Sequence, residues 1–136
     1  MDSQIKDKQK KQLQRIFQSY PEIKLAYFFG SRAKGKAGPL SDYDFAVFLD
    51  ERKKDKKKMF AIRFALMDKI SRLFKTDKID VVVLNIVDSP ELKYNIIKEG
   101  KIIFERDSSR VIVEPKIMNE YFDFYLMLKR YNLTKA

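Results

Sequence analysis

Residues 28–50 read FFGSRAKGKAGPLSDYDFAVFLD, and the reading of this stretch decides the fold. Leading into it, Ile23–Phe29 (IKLAYFF) is short, apolar and rich in β-forming side chains, which predicts a strand. Residues 42–49 (DYDFAVFL) predict a second strand. It is apolar on both faces after its first residues, so it belongs in the middle of a sheet. Residues 30–41 join the two and hold three of the four glycines of the chain. That concentration predicts a loop whose backbone turns tightly or approaches something closely. Ser41 is expected to cap the turn by bonding the backbone of Asp42 or Tyr43.

Asp42 and Asp44 carry the chemistry of this stretch. Two residues apart on a strand they share a face, about 6–7 Å apart at Cα. Like charges that close repel unless a cation neutralises them. Gly30 and Ser31 offer backbone N–H groups and a hydroxyl to phosphate oxygens, and glycine lets the backbone come near. Arg32 and Lys34 are candidates for neutralising a triphosphate. A phosphate cradle beside a carboxylate pair suits a nucleotide bound with Mg²⁺. Asp80 heads the apolar run DVVVL, and residues 78–85 predict a third strand. If that strand pairs beside the second, Asp80 completes a three-carboxylate, two-metal arrangement.

Working outward, residues 3–19 predict an amphipathic helix with Ile5, Leu13, Ile16 and Phe17 on one face. The run from Arg52 to Lys58 has six basic residues in seven and leads into a long helix. It is read as a solvated helix entry, with a docking patch for an acidic partner or RNA as the alternative. Along that helix Met59, Ile62, Phe64, Leu66, Ile70 and Phe74 give an apolar side, and its Phe and Met residues are expected in the core. Ser89 and Pro90 open a further helix that Gly100 ends. A short strand over residues 101–104 follows, with a second strand segment at 110–113. Pro115 is expected to open a last helix bearing Ile117, Tyr121, Phe124, Tyr125 and Leu128. Tyr121, Phe122 and Tyr125 are open to either a core or an interface role. The elements together predict one α/β (α+β) domain, a small mixed sheet flanked by helices, over residues 1–136.

Composition narrows the chemistry. The chain has no Cys and no His, which excludes disulfides, Cys/His zinc sites and any Ser-His-Asp triad. A metal must then be held by oxygen, which favours Mg²⁺ or Mn²⁺. A formal net charge of +10 attracts polyanions, whether nucleic acid, nucleotide phosphates or an acidic protein. No apolar run approaches the roughly 20 residues of a membrane helix, and the N-terminal stretch has no apolar secretory segment. A cytoplasmic domain with no membrane association is expected.

Gly30-Ser31, ten residues, then Asp42-Tyr43-Asp44 resembles the GSx10DxD signature of the polymerase-β-like nucleotidyltransferases. The wording FFGSRAKGKAGPLSDYDFAVFLD, with SPELKYNIIKEGKIIFE further on, is similar to the minimal nucleotidyltransferases and covers nearly the whole chain. Within these it resembles the antitoxin half of HEPN–MNT toxin–antitoxin pairs. The resemblance implies that Gly30 and Ser31 bind the nucleotide triphosphate and that Asp42 and Asp44 ligate two Mg²⁺ ions. It implies that Asp80 shares one metal and helps activate the attacking hydroxyl. The reaction implied is transfer of AMP from ATP to a tyrosine of a HEPN ribonuclease toxin, releasing pyrophosphate. Larger relatives carry an acceptor-binding domain, which is not expected here, so the acceptor is small or docks from outside. Transfer to RNA or a small molecule, and a non-catalytic toxin-binding module, stand as alternatives.

Overall fold

The computed structural model describes residues 5–50 and 55–131. Four strands, β1 (Ile23–Phe29), β2 (Tyr43–Leu49), β3 (Ile79–Val83) and β4 (Lys101–Glu105), form one sheet in the order β3-β2-β1-β4. β1 pairs antiparallel with β2 and with β4, whereas β2 and β3 run parallel. The sheet is mixed, and β2 is interior, flanked by strands on both sides. The helices are α1 (Asp7–Gln18), the single turn α2 (Gly30–Ala33), α3 (Lys56–Phe74), α4 (Pro90–Glu99) and α5 (Arg110–Arg130). α3 is the long crossover that a parallel β2–β3 pair requires.

Alternation along the strands feeds two cores. Phe28, Phe45, Val47 and Val81 pack with Leu13 and Phe17 of α1 and with Met59, Ile62, Leu66 and Ile70 of α3. Leu25, Tyr27 and Ala46 pack with Ile96 of α4 and with Val113 and Ile117 of α5. Neighbouring residues of β2 thus serve opposite faces, as the two-residue period of a strand demands. Each large apolar side chain taken fully out of water contributes about 1.5–3 kcal/mol, so these faces fix which way every strand residue points. Among the described residues, no helix is long and apolar enough to cross a membrane.

Helix ends follow local chemistry. The Asp55 carboxylate accepts from the Lys58 backbone N–H at 3.3 Å and caps α3. Ser89 Oγ accepts from Leu92 N–H at 3.1 Å, with Pro90 in the first position of α4, as the sequence predicts. Gly100 ends α4, where a Cβ would run into the Ile96 carbonyl oxygen.

Several expectations are corrected. Residues 30–33 are a helical turn rather than loop. α1 starts only at Asp7, with Ile5 buried ahead of it; residues 3 and 4 lie outside the described residues. Residues 110–113 are not a strand but the first turn of α5, and Pro115 sits inside that helix. The cause lies in the flanking residues. Asp107 and Ser108 take positive φ and turn the chain, Glu105 accepts from the Arg110 backbone N–H, and Arg110 pairs with Glu114 at 3.1 Å. Val113 and Ile117, one helical turn apart, are then buried while Val111 and Ile112 stay exposed. Phe60 and Phe64 are not core: they are 44% and 59% exposed. The buried stripe of α3 runs through Met59, Ile62, Leu66 and Ile70, and the two Phe side chains fall on another stripe of the same helix. Of the basic run, residues 52–54 lie outside the described residues, and Lys58 pairs with Glu22 at 2.8 Å. Tyr121 stacks on Tyr94 at 4.2 Å between ring centroids, whereas Phe122 and Tyr125 are exposed.

Candidate active site

Strand ends assemble the site. Asp42 immediately precedes β2 and Asp44 is its second residue. Asp44 is the register partner of Phe29 across the β1–β2 pair and of Asp80 across the β2–β3 pair. The end of β1 and the starts of β2 and β3 therefore meet at one end of the sheet. Asp44 and Asp80 share the strand parity of Ala46 and Val82, which pack toward α4 and α5, so both acids belong to that face.

Gly30 follows Phe29 directly, with φ +84°, a conformation that glycine adopts without steric cost. A Cβ on Gly30 would collide with Oδ2 of Asp44. The first glycine of the motif and its second aspartate are thus in contact, and the missing side chain is what makes room for the carboxylate.

The other motif residues are engaged as follows. Ser31 lies in α2, and its carbonyl accepts from Lys36 N–H at 2.9 Å. Arg32 Nε donates to the Ser41 carbonyl at 2.9 Å, and its guanidinium lies 4.2 Å over the Tyr43 ring. Tyr43 is itself braced edge-on by Phe74 at 4.7 Å. Ser41 Oγ accepts from Gly38 N–H at 3.1 Å, so Ser41 does cap the turn, but toward the upstream backbone. Lys34 pairs with Glu99, at the end of α4, at 3.1 Å. Both members of that pair are about half exposed, and such surface pairs contribute roughly 0–1 kcal/mol, so Lys34 is readily released.

Asp80 meets a residue that sequence reasoning did not single out. Arg63 of α3 reaches the edge strand β3, where Nη2 lies 3.3 Å from Asp80 Oδ1 and Nε donates to the Val81 carbonyl at 2.6 Å. No local signal separates Arg63 from the other 28 Lys and Arg residues; only the fold brings it to Asp80.

The electrostatics bind the three acids together. The Asp44 carboxyl is pushed up to about 6, by burial first and then by the nearby charges of Asp80 and Asp42. Yet among the described residues no three acidic side chains are gathered into a ready-made cation cage. Repulsion adds to burial in raising Asp44. Carboxylates that face one space repel and stand apart until something positive lies between them. Hard oxygen donors from rigid strand ends, beside a glycine cradle, are a donor set suited to Mg²⁺ or Mn²⁺.

Comparison with known proteins agrees with this geometry. Residues 11–109 match the family described as "Polymerase beta, Nucleotidyltransferase", a span that includes Gly30, Ser31, Asp42, Asp44 and Asp80. Over 95 residues the chain is 34% identical to "Protein adenylyltransferase MntA" of Aphanizomenon flos-aquae (strain 2012/KM1/D3). That alignment takes in 67% of this chain and 63% of the relative, so it spans less than two thirds of the relative's length. A crystal structure of a toxin–antitoxin with AMP-PNP superposes with a TM-score of 0.72 at 20% identity, covering 93% of this chain and 95% of that one. The toxin–antitoxin MntA–HepT crystal structure gives 0.68 at 18%, covering 93% and 95%. At these identities the two structures speak to the fold. Sheet order, the Gly30–Asp44 contact and the matched span lead to one conclusion: the chain belongs to the polymerase-β nucleotidyltransferase family.

Proposed function

We propose that this chain transfers AMP from ATP to a hydroxyl, that the acceptor is a tyrosine of a cognate HEPN ribonuclease toxin, and that the transfer silences the toxin. The observation that carries the reading is the juxtaposition of Asp44 with Asp80 in register and with Gly30 in contact. The relative named a protein adenylyltransferase and the toxin–antitoxin structures with the same fold support the choice of reaction and partner.

In this reading Gly30 and Ser31 receive the triphosphate, with Lys34 swinging from Glu99 to phosphate oxygens. Arg32 braces the loop from Tyr43 and Ser41. Asp42, Asp44 and Asp80 would hold two Mg²⁺ ions, which supply charge neutralisation for the phosphates and the departing pyrophosphate. The acceptor oxygen forms a bond to the α-phosphorus while the bond from that phosphorus to the α–β bridging oxygen breaks. Asp80 helps draw off the proton of the acceptor hydroxyl, which passes to solvent. Pyrophosphate leaves with the electron pair of the broken bond.

The test separates catalysis from docking. The Asp42→Asn/Asp44→Asn double variant is compared with the parent for toxin binding by calorimetry and for relief of toxin-induced growth arrest. Intact binding with lost protection is expected. Protection that survives the double change would replace the enzyme by a stoichiometric binding module.

A further inference from the structure

The geometry points to Arg63 as a positioning residue that fixes Asp80 for cation binding: it takes one carboxylate oxygen and leaves the other directed to the site. The inference rests on the metal-dependent reading proposed above. Its starting point is the shape of the contact. One guanidinium donates through Nε to the Val81 carbonyl at 2.6 Å and through Nη2 to Asp80 Oδ1 at 3.3 Å. These are successive residues of β3, so the fork grips the strand's backbone and its acid together.

Three features make this a rigid mount rather than a passing surface pair. The root of Arg63 is fixed, because Ile62 and Leu66 on either side of it in α3 are buried in the core. Its side chain is mostly covered, at 28% exposure, against 42% for Asp80. The short bond to Val81 sets the plane of the guanidinium, and a planar fork cannot follow a wandering carboxylate as an ammonium would.

The need for a mount follows from topology. β3 is an edge strand, so no strand on its outer side restrains Asp80. On its inner side stands Asp44, its register partner and a like charge. Among the described residues, no hydrogen bond or ion pair engages Asp80 Oδ2. Carboxylates that hold metals commonly have one oxygen hydrogen-bonded behind them, and loss of that support typically costs 10–100-fold in metal affinity. Arg63 also adds positive charge, which opposes a cation. The two effects act in opposite directions on cation binding, and the Arg63 variants read their balance.

The test uses the full chain with Arg63→Gln and Arg63→Lys, each checked by circular dichroism and thermal melting. Binding of Mn²⁺, read by electron paramagnetic resonance with a non-hydrolysable ATP analogue present, is the primary measurement, and the Mg²⁺ dependence of AMP transfer is the second. Arg63→Gln is expected to weaken Mn²⁺ binding about tenfold and raise the Mg²⁺ requirement, with the KM for ATP at saturating Mg²⁺ unchanged. Arg63→Lys keeps the charge but not the fork, so it should recover less than half of the loss on a logarithmic scale. If Gln is not tolerated by the fold, Lys against the parent decides in the same way. Mn²⁺ binding that is unchanged or tighter in Arg63→Gln overturns the inference, since Arg63 would then be a bystander or a competitor. Should the parent itself bind no Mn²⁺ that Asp44→Asn removes, the metal-dependent reading fails first and the role of Arg63 with it.

Discussion

At the scale of single residues, Asp44 carries the strongest conflict. It is partly buried, faces Asp42 and Asp80, and touches the space left by Gly30. Its carboxyl is pushed up to about 6, so across roughly pH 4–6 the native chain binds a proton more tightly than the unfolded chain does. Folding stability from this group therefore falls as the pH rises through that window and is level above it. After allowance for solvent screening the effect is about 1–2 kcal/mol. In EDTA, Asp44→Asn is expected to remove this slope and to be about 1 kcal/mol more stable than the parent at pH 7. Urea midpoints at several pH values measure it. A parent stability that rises between pH 4 and 6 in step with Asp44 alone would contradict the argument.

At the scale of elements, α5 shows how a helix is fastened and how a sequence conceals it. Tyr27 of β1 donates through its hydroxyl to Glu114 Oε2 at 2.5 Å, and burial with the Glu114 bond holds the phenol far above its ordinary pKa. Tyr27→Phe keeps the ring and removes this bond, leaving Glu114 to Arg110. A loss of about 1–2 kcal/mol is expected in urea unfolding, with the fold unchanged. β1, β2 and α4 were legible because their signals are local: apolar alternation in the strands, Ser89-Pro90 and Gly100 at the ends of the helix. Residues 110–113 were not, since Val-Ile-Val favours a strand locally while the turn at Asp107 and the distant Tyr27 impose a helix. The exposed Phe60 and Phe64 misled for a related reason. A long helix offers more than one apolar stripe, and only packing against the sheet selects which is buried. At the site, Asp42 and Asp44 stand out by spacing beside a glycine turn, and Asp80 by heading an apolar strand. Arg63 could not be found this way, because its link to Asp80 spans 17 residues and exists only once β3 lies against α3.

At the scale of the whole molecule, the two cores hold the sheet rigid from either side and leave one end of it for chemistry. Asp42, Asp44 and Asp80 stand at that end, at or beside the starts of β2 and β3, in a chain whose formal net charge is +10. In the proposed reading the excess positive charge would draw in a polyphosphate, and the acids would supply the hard oxygens that a cation bound to it needs. This division of labour leads to the central claim, that the β1–β2 turn and the three aspartates transfer a nucleotidyl group and do not hydrolyse or merely bind ATP. The most direct measurement incubates the purified chain and its toxin with Mg²⁺ and ATP radiolabelled at either the α- or the γ-phosphorus. Label on the toxin is expected from α-labelled ATP alone, with matching release of pyrophosphate, and none with the Asp42→Asn/Asp44→Asn variant. Label from the γ-position, or equal α-labelling by the double variant, would contradict the account.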